Sequence, residues 1–193
     1  MENQIVFDGQ QTDERILFTI SPHPIAKTVA IVKIIAVALI FFIILFIVAS
    51  STSFSVILRL IGFILAAVVS ILGVIWSSYL EKTDRAYITD RRIIRFETIT
   101  PVLKTKRALF WNEALKAKAF APSFFSKMLG VGQVVIEPQL SGAENVIIKN
   151  VSYYEDLANY IDKILFIFKS KPEDIQTIKP FIPKPKGQRD SSS

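Results

Sequence analysis

Ile34-Ile-Ala-Val-Ala-Leu-Ile-Phe-Phe-Ile-Ile-Leu-Phe-Ile-Val-Ala49 is a run of sixteen consecutive apolar residues. As a helix it covers about 24 Å at ~1.5 Å per residue, short of the ~30 Å hydrocarbon core of a bilayer. The helix therefore has to extend back towards Thr28, with Lys33 snorkelling to the surface. Ser50-Ser-Thr-Ser53 then interrupts the run with four hydroxyls that compete for backbone hydrogen bonds. Leu60 to Tyr79 is a second uncharged stretch, twenty residues long. It ends in Trp76 and Tyr79, amphipathic aromatics favoured at the headgroup level. Two membrane spans are predicted, at about 28–49 and 57–79, forming a hairpin within residues 25–80.

A secretory signal would start sooner and end at a cleavage site; here an acidic leader (Asp8, Asp13, Glu14) precedes the run and a second span follows it. Paired helices of a soluble protein rarely lack charge on every face. Orientation follows from the basic residues. Arg15, Lys27 and Lys33 precede the first span, Lys82, Arg85, Arg91, Arg92 and Arg95 follow the second, and Arg59 alone lies between them. The positive-inside rule then places both termini in the cytoplasm, in a multi-pass protein of the inner membrane.

Within the second span Gly62, Ala66, Ser70, Gly73 and Ser77 recur at intervals of three and four. That spacing lays small residues along one helical face and lets another backbone approach. The partner is the first span or, through the same face, a second copy of the chain.

Beyond Tyr79 the periodicity changes. Ala86 to Glu97 reads as two short strands about a turn at Asp90-Arg91, and 102–110, 114–120, 133–137 and 145–149 are further runs rich in Val, Ile, Leu and Phe. Ser141-Gly142 marks the turn between the last two. Leu157, Ile161, Ile164, Leu165 and Phe168 then form a helical stripe, behind a capping-box pattern at Ser152-Tyr-Tyr-Glu155. Antiparallel strands followed by one amphipathic helix predict a small mostly-β domain at 81–169, a barrel or strongly bent sheet closed by that helix.

Tyr87-Ile-Thr-Asp-Arg-Arg-Ile-Ile94 resembles the opening of the bacterial pleckstrin-homology-like family, and Leu129-Gly-Val-Gly-Gln-Val-Val-Ile136 is similar to its Leu-Gly-x-Gly signature. Val151 to Ile161 resembles the segment leading into that family's closing helix. The resemblance covers roughly residues 76–168, and members often carry a two-span hairpin directly before the domain. Glu14-Arg-Ile-Leu17 and His23-Pro24 fit less specifically. One departure is the absence, between Arg95 and Pro101, of the Gly that commonly follows the second strand. The resemblance implies a pleckstrin-homology-like barrel and brings no catalytic residues.

Gly130 and Gly132 flank one Val after a short apolar segment (Phe124, Phe125, Met128, Leu129) and before a strand. A dinucleotide loop needs the reverse order, strand then helix, so both glycines are read as turn positions with positive φ. His23 has no second ligand at metal spacing and is read as interfacial. Trp111 is assigned to the core or rim, Trp76 to the headgroups. Arg15 to Ile20 has strand-like composition, and this leader strand, within residues 1–24, is expected to extend the edge of the sheet.

Net charge is +6, all of it from residues 81–193, which hold nineteen Lys/Arg and thirteen Asp/Glu. Lys82, Arg85, Arg91, Arg92, Lys104, Lys106 and Arg107 cluster at the end of the second span and at the strand turns. They are either topogenic charge or contacts to anionic lipid headgroups within a Debye length of the bilayer, roughly 8 Å. Acidic neighbours and the lack of an aromatic platform disfavour nucleic acid. From residue 170 onward, Pro and Lys alternate (Pro180, Pro183, Pro185; Lys179, Lys184, Lys186), as in a disordered basic tail, with a proline-motif ligand at Pro180-x-x-Pro183 as the alternative reading.

With 51% hydrophobic residues and a mean hydropathy of +0.41, the chain is too apolar to be disordered over most of its length. No Cys and one His exclude a disulfide framework, a thiol nucleophile and a Cys/His zinc site. No Gly-x-Ser-x-Gly, His-Glu-x-x-His or phosphate-cradling loop is present. The expected function is a non-enzymatic, membrane-anchored binding module without metal or cofactor, contacting anionic lipid or an unidentified membrane or cytoplasmic protein. The alternative is a structural subunit or scaffold assembling through the hairpin.

Overall fold

The computed structural model describes residues 6–51, 55–98, 103–140 and 142–183. The chain divides into two units, His23–Thr83 and the two segments flanking it.

The first unit is a pair of helices, α1 (Pro24–Ala49) and α2 (Ser55–Thr83). Each is longer than the span predicted for it. His23 caps α1, its Nδ1 accepting the Ile25 N–H at 3.2 Å, with Pro24 at the first helical position. The helices run antiparallel: Leu45 lies over Gly62 and Ile34 over Gly73. Their outward faces carry Val37, Ile40, Ile47, Phe63, Ile71 and Ile75, all more than half exposed. A helix apolar on every face and covered on one only needs an apolar solvent. Both are long and apolar enough to cross a membrane.

The second unit is a small antiparallel β fold. Strands β1 (Ile16–Ile20), β2 (Arg85–Thr89), β3 (Arg92–Thr98) and β4 (Lys104–Phe110) form one sheet in chain order. β5 (Ala114–Phe120), β6 (Gly132–Pro138) and β7 (Val146–Val151) form another, with the short helix α3 (Phe124–Met128) between β5 and β6. β1 pairs with β2 through Ile20↔Ala86 and Thr19↔Tyr87, so the helix pair is an insertion between two hydrogen-bonded neighbours. Helix α4 (Tyr154–Ser170) supplies Leu157, Ile161, Ile164 and Leu165 to a core completed by Ile20, Ile88, Ile93, Trp111, Val134, Ile136 and Ile148. Trp111 is fully buried and donates its indole N–H to the Thr89 carbonyl at 3.0 Å.

The strands do not close into a barrel. β4 and β5 are joined by the tight turn Trp111–Glu113, yet each pairs only within its own sheet among the described residues. Side chains link the sheets instead. Arg95 donates to the Ile147 carbonyl, Arg107 pairs with Glu144 at 3.0 Å and Lys149 with Glu97 at 3.5 Å.

Three further expectations are corrected. The capping position expected at Ser152 is shifted by one: α4 starts after Tyr153, which makes no side-chain cap bond and whose ring packs on Phe18 and Phe181. Gly132 does not have positive φ, whereas Gly130 does, at 67°. What Gly132 provides is space, since a Cβ there would meet the Tyr154 ring at 2.5 Å. The chain beyond residue 170 does not start as a free tail. Pro172–Thr177 forms a 3-10 helix, Ile178 is buried and Phe181 packs on Phe18, Tyr153 and Tyr160. Aromatic burial outweighs the local Pro/Lys composition there. Residues 184–193, where the rest of that tail falls, lie outside the described residues, as do 99–102 and the turn residue Ser141.

Candidate functional site

The sequence singles out seven basic residues as one surface, and the structure separates them. Arg85 opens β2 and Arg91 sits beyond its far end. Four steps of ~3.3 Å along β2 put about 13 Å between Arg85 and the turn that holds Arg91, more than a Debye length. Lys104, opening β4, lies at the Arg85 end through the pairs Arg85↔Phe96 and Thr98↔Lys104. Arg85, Lys104 and Lys82, in the last turn of α2, are exposed.

The leader engages Arg91 and Arg92 at the far end, and also Lys106, which stands across β3 from Arg85. Arg92 is buried and holds Glu14 through Nε–Oε1 at 2.9 Å and Nη2–Oε2 at 2.8 Å, with a further bond to the Gly9 carbonyl at 2.7 Å. Arg91 pairs with Asp13 and bonds Gln11. Lys106 donates to the Asp8 carbonyl at 2.7 Å, and Arg107 is engaged by Glu144. Arg92 is therefore not a headgroup contact, because its guanidinium is consumed inside the fold. The signal that foretells this is in the sequence: Asp8, Asp13 and Glu14 form an acidic leader facing a basic turn.

The Glu14 carboxylate is completely buried. Burial pushes its pKa up, but the bonds from Arg92, the Gln11 N–H and Thr89 outweigh it and hold the group below the ordinary carboxylate value. Burial also raises Asp90, against the stabilising bond from the Arg15 N–H. Above this network Phe7 stacks on Tyr87 at 4.8 Å and meets Phe96 at 6.1 Å, covering the outer face of the four-stranded sheet. β2 is consequently buried on both faces. Arg15 reaches on to the carbonyls of Ile175 and Ile178 at 3.3 and 3.0 Å, tying leader to C-terminal segment.

On α2 the small residues face α1. A Cβ at Gly73 would meet Ile34 Cγ2 at 2.5 Å, and one at Gly62 would meet Leu45 at 3.3 Å. Ser77 is buried, and Ala66 and Ser70 line a shallow apolar groove with Ala38 and Phe42. Among the described residues no group of three or more potential metal ligands occurs.

Comparison with protein-family models, with curated proteins and with solved structures returned no match.

Proposed function

We propose that this chain is a non-enzymatic, membrane-anchored binding module, in which α1 and α2 cross the inner membrane as a hairpin. The β unit and both termini stand on the cytoplasmic side, where the unit meets anionic lipid or a protein partner. The pairing of β1 with β2 carries this reading. It ties the two ends of the inserted helices to adjacent strands, so an arrangement with only one helix spanning would have to tear the sheet apart. The excess of basic residues flanking the hairpin supports the orientation. Two antiparallel sheets followed by α4 support a pleckstrin-homology-like kinship.

Arg85, Lys104 and Lys82 are the residues proposed to meet anionic headgroups, at ~1 kcal/mol each near the surface. The scaffold alternative is weaker, since α1 already fills the Gly62 and Gly73 positions. The test is alkaline extraction of membranes containing the full chain, followed by hydrogen exchange in neutral and in anionic nanodiscs. Retention in the membrane, with added protection at Arg85 and Lys104 in anionic discs only, is expected. Release by alkali overturns the anchoring, and equal exchange in both discs overturns the lipid contact.

A further inference from the structure

We propose that the β5–β6 connection, residues 121–131, seats in the headgroup layer of the bilayer that holds the hairpin, giving the β unit a second membrane contact. The inference rests on the reading of α1 and α2 as spans. Its motive is a built apolar tip. Phe124, Phe125 and Met128 of α3 are 77%, 69% and 67% exposed, with Leu129 and Phe120 exposed beside them. Positions i, i+1 and i+4 share one side of a helical turn, and the two phenyl rings meet edge to face at 6.1 Å.

The tip is held by its own backbone. Ser123 Oγ accepts the Ser126 N–H at 3.1 Å, and the N–H groups of Lys127, Leu129 and Val131 donate to the carbonyls of Ser123, Phe125 and Ser126. Gly130 then turns the chain into β6 with φ of 67°. Four large apolar side chains are thus presented outward by a connection braced by its own backbone hydrogen bonds, a pattern that marks a contact surface.

Charge and position name the bilayer as the occupant. The tip itself, residues 121–131, has no acidic residue and carries Lys127, while Lys116 and Lys118 on β5 are paired with Glu137. Aromatic residues beside a cation on an apolar tip suit the boundary between headgroups and acyl chains. The tip also lies at the end of the β unit from which the chain leaves for α1. Gly132, which follows it, pairs with Val151. Lys149, two residues before Val151, pairs with Glu97, beside Phe96, whose partner Arg85 opens β2 next to the Ile20↔Ala86 pair at the end of β1.

The chain contains no cysteine, so single spin labels can be placed in the full-length protein in phosphatidylcholine–phosphatidylglycerol vesicles. Three variants are needed: Met128→Cys at the tip, Leu140→Cys in the β6–β7 connection, where the native residue is 74% exposed, and Ile40→Cys in α1. The ratio of oxygen to nickel-chelate accessibility at position 128 is expected to be severalfold that at 140. It should fall to the value at 140 when Phe124→Ser and Phe125→Ser are added. Equal ratios at 128 and 140, with the label at 40 in hydrocarbon, overturn this inference and leave the anchoring intact. A label at 40 exposed to water overturns the anchoring itself and the inference with it. Strong dipolar coupling between labels at 128 on two chains, without lipid exposure, assigns the tip to a second copy and also overturns it.

Discussion

The Glu14 carboxylate and the Arg92 guanidinium form a two-pronged ion pair, at 2.9 and 2.8 Å, between residues 78 positions apart. Thr89 Oγ1 donates to the same carboxylate at 2.8 Å, and Thr89 and Glu14 are both fully buried. This pair pins residues 7–14 over the outer face of the four-stranded sheet, with Phe7 over Tyr87. It makes the leader part of the β fold.

Removing one partner leaves a buried charge without compensation, which costs about 3–5 kcal/mol. Glu14→Ala and Arg92→Ala are each expected to destabilise the β unit by that order. Glu14→Leu combined with Arg92→Met should recover most of the loss. Urea unfolding of the full chain in detergent, followed by Trp111 fluorescence, measures it. Equal stability of Glu14→Ala and the parent chain would contradict the assignment.

The pair also has a pH signature. Because the folded-state pKa of Glu14 is lowered from 4.5, its contribution is fully present above that value and is lost as pH falls through the folded pKa. Asp90, raised by burial, acts in the opposite sense, so the two are separated by substitution. Stability of the parent should fall more steeply below about pH 4.5 than that of Glu14→Gln. Parallel curves for the two proteins would show that Glu14 does not carry the slope.

Gly73 leaves no room for a side chain against Ile34, whose β-branch has few alternative rotamers in a helix. Gly73→Ala is expected to cost about 1–3 kcal/mol of helix pairing by overpacking. Ile34→Ala in the same chain should reverse the effect. Disulfide formation between Leu45→Cys and Gly62→Cys, positions in contact in the parent, reports the pairing; an unchanged yield in Gly73→Ala refutes the close approach.

Gly132 presents bare backbone to the Tyr154 ring. Gly132→Val should therefore destabilise the β unit by about 1–3 kcal/mol and be partly rescued by Tyr154→Ala. If Gly132→Val melts at the parent temperature, the ring is not seated there.

Local patterns carried much of this architecture. The two apolar runs, the strands at 86–89 and 92–98 and the stripe of α4 follow from charge and periodicity alone, since each reports its neighbours within a few residues. The contacts that finish the fold are remote in sequence. Arg15 bonds the carbonyls of Ile175 and Ile178 across 160 and 163 positions. Phe181, in a Pro- and Lys-rich segment that reads as unstructured, packs against Phe18. The basic cluster was misleading for a related reason: composition counts charges and does not tell which of them an acidic leader has already engaged. For Gly132 the residue type was informative and its cause was not, because the crowding comes from a helix whose position no local rule supplies.

The central claim is that the helix pair crosses the membrane and leaves the β unit on the cytoplasmic side. Ser51→Cys, in the connection between α1 and α2, and Asn112→Cys, exposed in the β4–β5 turn, each introduce a single thiol. A membrane-impermeant maleimide is applied to intact spheroplasts and, separately, to permeabilised ones. Labelling of Ser51→Cys in both samples, and of Asn112→Cys only after permeabilisation, is the predicted result. Labelling of Asn112→Cys in intact spheroplasts, with Ser51→Cys protected, would contradict it.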